Sequence, residues 1–171
     1  MTVPHTAQGQ PPDLQDHRPR LGLRALIGSG DRIATVVLPF LVVGVLLNLA
    51  FPEAFRVGGP PLWLAVVSAV LLALGAVVWA WSVVLILTKV RAGELVTSGP
   101  YAVVKHPLYT AVALLVLPWL GFLLDSWLGA VLGVALYVVS RRFAPDEEAE
   151  LADDFGAAWD AYRDHVILPW L

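Results

Sequence analysis

Four stretches of this chain carry no charged side chain, and they leave it few ways to fold in water. Ile33 to Pro52 matches the roughly 20 apolar residues a helix needs to cross a bilayer, and Leu62 to Leu87 is longer, so it crosses with tilt. Leu108 to Leu124 and Ser126 to Ser140 are shorter, and only Asp125 separates them, which predicts a tight helical hairpin with its tip at the far interface. At about 1.5 Å per residue the last stretch reaches only about 22 Å, so it either extends past Arg141 or crosses a thinned region. Composition agrees: 58% of residues are hydrophobic and 15% charged, against roughly 25% charged in soluble domains. The expected fold is an all-α integral membrane protein of about four transmembrane helices, with an amphipathic cytosolic helix at the C-terminal end. No strand followed by a G-x-G-x-x-G turn occurs, so no Rossmann domain is expected.

Charge sets the orientation. With the N-terminus inside, Arg18, Arg20, Arg24, Arg32, Lys89, Arg91, Lys105, Arg141, Arg142 and Arg163 are cytosolic, and only Arg56 lies outside. That asymmetry predicts both termini in the cytosol. Trp63, Trp81, Trp119 and Trp127 fall near span ends, where amphipathic rings favour the headgroup level. Residues 1–17 are polar and proline-containing and are expected to form a disordered tail. Residues 18–32 are a basic interfacial segment, read as a charged anchor before the first span or as a short helix on the leaflet. Residues 33–171 make up the membrane domain. The absence of cysteine excludes disulfides, thiolate zinc sites and a cysteine nucleophile, and no metal site is expected. A net charge of −3 without a basic stripe gives no argument for nucleic acid, and none is expected as a partner.

Chemistry is therefore sought in Thr88 to Pro107 and Arg141 to Leu171, the two cytosolic segments that follow spans. In the first, Gly99-Pro100 signals a turn, and Pro107 opens a helix, where its missing N–H has no partner to lose. Lys105 and His106 then stand at a helix entrance, where free N–H groups attract anions. A snorkelling lysine and an interfacial histidine explain the same residues without chemistry. In the second segment, Pro145 to Val166 reads as one helix. On a wheel with Glu147 at zero, Leu151, Phe155, Trp159, Tyr162 and Val166 fall at about 40°, 80°, 120°, 60° and 100°. Glu147 and Glu148 lie within or beside that apolar arc, whereas Asp146, Glu150, Asp153, Asp160 and Asp164 lie away from it. Carboxylates on a buried face are costly unless paired. Arg141, Arg142, Lys105 or a cationic ligand are the available partners. Gly156 is the one point where the helix is open to interruption.

Gly99-Pro100-Tyr101 through Lys105-His106-Pro107-Leu108-Tyr109 resembles the G-P-Y…R-H-P-x-Y motif of the isoprenylcysteine carboxyl methyltransferase family. Glu147-Glu148-Ala149-Glu150-Leu151, then Phe155-Gly156, Trp159 and Tyr162, resembles the family's E-E-x-x-L…F-G-x-x-Y-x-x-Y segment. Membrane phospholipid methyltransferases share a looser version of both. The resemblance implies an S-adenosylmethionine-dependent methyltransferase acting on a lipophilic or membrane-associated acceptor. It implies a cofactor lined by Tyr101, Lys105, His106, Pro107 and Tyr109 on one side and by Glu147 and Glu148 on the other. Arg141, Arg142 and Trp159 are the candidates for contacting the acceptor. The chain departs from the pattern at Lys105 for arginine, Ala111 for glycine and Trp159 for tyrosine; lysine keeps the charge but loses the bidentate fork. No general base is assigned, because direct displacement depends chiefly on in-line positioning and exclusion of water. A membrane reductase of the steroid-reductase type with a nicotinamide cofactor, and a non-catalytic membrane scaffold, are the alternatives. Arginine in excess of lysine, with abundant alanine, valine and glycine, suggests a bacterial inner membrane.

Overall fold

A computed structural model describes residues 23–89 and 92–168, with side chains described from residue 35 onward. Among the described residues there is no strand, only helices and two isolated bridges. Three helices of 28 residues dominate: α1 (Leu23–Ala50), α3 (Leu62–Lys89) and α7 (Leu128–Phe155). Short pieces connect them: α2 (Pro52–Phe55), α4 (Pro100–Val103), α5 (Pro107–Thr110), α6 (Leu117–Leu123) and α8 (Ala157–His165). Two of the helices, α3 and α7, are long and apolar enough to cross a membrane. The tail at residues 1–17 lies outside the described residues, as does the start of the basic segment. From Leu23 that segment is already helical and continuous with α1.

The third apolar stretch is one helical column built in three parts. Between α5 and α6 the chain forms a π-helical stretch, Ala111–Val116. Its cause is Pro118, which has no N–H to offer and whose ring crowds the carbonyl four residues back. That carbonyl, on Leu114, instead accepts the indole N–H of Trp119 at 3.1 Å. The column packs between α3 and α7, and α1 packs on α7. Small residues allow the close approach that helices in lipid rely on. A Cβ on Gly129 would lie 2.3 Å from the Leu117 carbonyl, and one on Gly133 would lie 2.3 Å from that of Ala113.

At one end of the bundle the loops are clamped by Asp125, the residue between the third and fourth apolar stretches. Its Oδ1 accepts the backbone N–H groups of Val57, Gly58 and Gly59 at 3.2, 3.0 and 2.8 Å, and Arg56 Nε donates to Oδ2 at 3.1 Å. Beside it Ser126 donates to the side-chain oxygen of Asn48 at 2.8 Å, which accounts for the polar residue in the first apolar stretch.

The expected helix over 145–166 requires a correction. Helix α7 does not stop before Pro145; it runs on through it to Phe155 and breaks at Gly156, after which α8 starts afresh. Proline forfeits one backbone hydrogen bond inside a helix, but the flanking turns hold. Gly156 adopts φ +49° and ψ −122°, a conformation that L side chains rarely occupy, and this is where the helix ends. The acidic turn is therefore rigidly continuous with the fourth apolar stretch.

Candidate active site at the His-Pro corner

The end of the bundle opposite Asp125 holds the two motifs. Gly99, with φ +62°, turns the chain into α4, and Val104 is extended. His106 then occupies the position before α5, where Pro107 takes the first helical position and is fully buried. This corner aims Lys105 and His106 at α7.

The two adjacent glutamates divide their work. Lys105 Nζ donates to both carboxylate oxygens of Glu148 at 2.8 Å, and His106 Nε2 stands 3.4 Å from Oε1. The Lys105 side chain is only 9% exposed, so this pair is held largely out of water. Burial on its own would raise the Glu148 carboxyl, but hydrogen bonds from His106 and Lys105 outweigh it and bring it down to about 2. Glu147 lies about 100° round the helix and meets no such partner. Its Oε2 is buried without a hydrogen-bond partner among the described residues, 3.7 Å from His106 Nδ1.

Glu147 faces a cavity of about 150 Å³. Tyr101, Lys105, His106 and Tyr109 form one wall; Glu147, Glu150, Leu151, Asp154 and Phe155 from α7 form another; Trp159 and Tyr162 from α8 form a third, and Glu94, Leu95 and Val96 complete it. Tyr162 donates its hydroxyl to the Tyr101 carbonyl at 2.8 Å, joining two walls. Burial pushes both phenols well above their ordinary range, with the Glu147 charge adding to the effect at Tyr101 and the Glu148 charge at Tyr162. Both rings therefore stay neutral in any working buffer.

Of the residues singled out in the sequence, Tyr101, Lys105, His106, Tyr109, Glu147 and Trp159 line this one cavity. Pro107 shapes the corner from within. Glu148 is absent from the lining and stands behind it, tied to Lys105. Arg141 and Arg142 are exposed and make no ion pair among the described residues, so neither partners the glutamates. Arg141 instead borders a second, smaller cavity with Tyr137, Thr110 and Ser140, which shares His106 and Tyr109 with the first. Arg142 lines neither cavity.

Sequence reasoning missed three acidic residues. Glu94 enters from the loop after α3, where Lys89 pairs with it at 2.7 Å. Glu150 and Asp154 stand three and seven residues beyond Glu147, and so on its side of α7. Glu150 was expected among the solvated acids; it is exposed but still borders the cavity. The i+3 and i+7 spacing was the available signal.

The model of the isoprenylcysteine carboxyl methyltransferase (ICMT) family matches residues 62–153, more than half of the chain, from the start of α3 through the acidic turn of α7. No curated protein and no solved structure matches the chain. The matched span carries both the His-Pro corner and the paired glutamates that meet at the cavity. The chain belongs to the isoprenylcysteine carboxyl methyltransferase family.

Proposed function

We propose that the protein transfers a methyl group from S-adenosylmethionine to a lipophilic, membrane-associated acceptor at the cytosolic face of a bacterial inner membrane. In this reading four spans cross the bilayer with both termini inside, and the cavity sits at the inner interface. The observation that carries it is the buried oxygen of Glu147, which accepts no hydrogen bond among the described residues, in a cavity that also presents Glu150 and Asp154. A carboxylate so placed, with only His106 nearby at 3.7 Å, favours a positive ligand group that offsets its desolvation. The cofactor suits these residues: it has an ammonium and a sulfonium for the acids and an adenine for the rings of Tyr101, Tyr109 and Trp159. A nicotinamide dinucleotide does not suit them, because its pyrophosphate would face the same acids.

When bound, S-adenosylmethionine supplies a methyl activated by the positive sulfur. The chain's own residues have positioning to do. Glu147 orients the cationic part of the ligand, and Lys105, through Glu148, fixes the corner that carries His106. The neutral Tyr101 and Tyr162 phenols and the Trp159 ring exclude water. The acceptor's head is placed beside the wall of His106 and Tyr109; the adjoining smaller cavity, bordered by Arg141, Thr110 and Tyr137, holds only about 10 Å³ and would have to widen to admit it. Arg142 is given no role.

Calorimetry on detergent-purified protein tests the reading. S-adenosylhomocysteine is expected to bind with micromolar affinity, and Glu147→Gln to weaken it by about tenfold or more, the loss of one charge-assisted contact. NADPH is expected not to bind. Unchanged affinity in Glu147→Gln, or tight NADPH binding, overturns it.

A further inference from the structure

Helix α8 and the residues after it are built around the cavity. Trp159, Tyr162 and Val166 form a buried cluster with Leu95, Leu151, Ala152 and Phe155. Its connection to α7 is the single residue Gly156, and a Cβ added there would meet nothing within 4 Å. The joint itself is therefore unpacked, and what holds α8 against α7 is the buried cluster on either side of it. At its other end the segment is bound to the opposite wall. Tyr162 donates to the Tyr101 carbonyl at 2.8 Å, Ile167 N–H to that of Ala102 at 3.4 Å, and Leu168 N–H to that of Val103 at 2.9 Å. The segment thus leaves one wall of the cavity at a glycine, lends it two rings, and fastens to the other wall.

We propose that residues 157–168 are a lid, hinged at Gly156 and latched on residues 101–103, and that its opening admits and releases the nucleotide cofactor. The role in cofactor exchange rests on the reading above. Each latch bond contributes no more than about a tenfold factor to the opening equilibrium, so the latch is reversible, and opening uncovers Leu151, Ala152 and Phe155 on α7. Burial of Trp159 and Tyr162 keeps it closed between turnovers, and movements of this size occur in microseconds to milliseconds.

The chain has no cysteine, which makes a direct test simple. Val104 and Leu168 are bridge partners across the latch. With Val104→Cys and Leu168→Cys oxidised to a disulfide, S-adenosylhomocysteine should bind and leave far more slowly in stopped-flow tryptophan fluorescence, and reductant should restore both rates. Tyr162→Phe keeps the ring but loses one of the three latch bonds, so release should accelerate by about threefold to tenfold. Hydrogen exchange of the full-length protein without ligand decides the hinge separately: amides of 157–168 should open together and faster than those of 128–155. Equal protection on both sides of Gly156, or a disulfide that leaves the ligand rates unchanged, overturns the lid. Cooperative opening of 157–168 in a protein that binds no S-adenosylhomocysteine overturns the cofactor reading and leaves the hinge in place.

Discussion

Glu147 and Glu148 are chemically identical neighbours with different partners. Glu148 is hydrogen-bonded by Lys105 and lies 3.4 Å from His106 Nε2, whereas Glu147, 3.7 Å from the other nitrogen of that ring, presents a buried oxygen without a hydrogen bond to the cavity. Lys105→Met should therefore strand the Glu148 charge and lower stability by about 2–3 kcal/mol, below the 3–5 of a fully buried pair because Glu148 keeps some exposure. Thermal melts in detergent check the value. The pH dependence has a defined sign. A carboxyl whose folded value is depressed contributes stability above its unfolded value, and loses it as pH falls through the folded one. The difference between the wild-type protein and Lys105→Met should hold from pH 7 down to about 4.5 and shrink toward pH 2. The wheel brought both acids to notice as costly on an apolar face. It did not reveal which one Lys105 takes, because that contact spans 43 positions in the chain.

At the scale of elements, the hairpin of α6 and α7 depends on absent side chains. Gly129→Ala would drive a methyl into the Leu117 carbonyl and the Gly121 backbone, and should cost about 2–3 kcal/mol in melts as the helices part. The loop clamp is a separate contribution. Asp125→Ala removes the acceptor for the N–H groups of Val57, Gly58 and Gly59 and the partner of Arg56. It should lower the melting temperature in detergent by less than Gly129→Ala does, because water at this exposed site replaces part of the lost bonding. Asp125 was legible in the sequence only as a separator of apolar stretches; its capping role depends on a loop 66 to 68 positions away. Pro145 misled the reading of α7 in the opposite way. Its local preference for a helix start was overridden, because the column of α7 is already anchored by packing on α1, α6 and the π-helical stretch.

For the whole molecule, the proposed topology can be tested with single cysteines, since none competes. Gly58→Cys should react with an impermeant maleimide in intact cells, and Asp160→Cys only after permeabilisation; the reverse pattern, or equal labelling, would sink the orientation. In this protein the sequence alone determined the apolar lengths, and with them the helical class. The backbone of a lipid-embedded segment must satisfy its own hydrogen bonds, which leaves a run of uncharged residues few choices. It also placed the His-Pro corner and the paired glutamates, both within the span of the family model, because a short motif is a local property. Only the tertiary structure decided how those motifs meet. It put Glu147 on the cavity and Glu148 behind it, brought in Glu94, Glu150 and Asp154, and folded α8 back from Gly156 onto Tyr101. The physical reason is that long-range pairing depends on how helices pack, and packing here turns on glycine contacts and the largely buried Lys105–Glu148 pair, to which no periodicity in a single sequence corresponds.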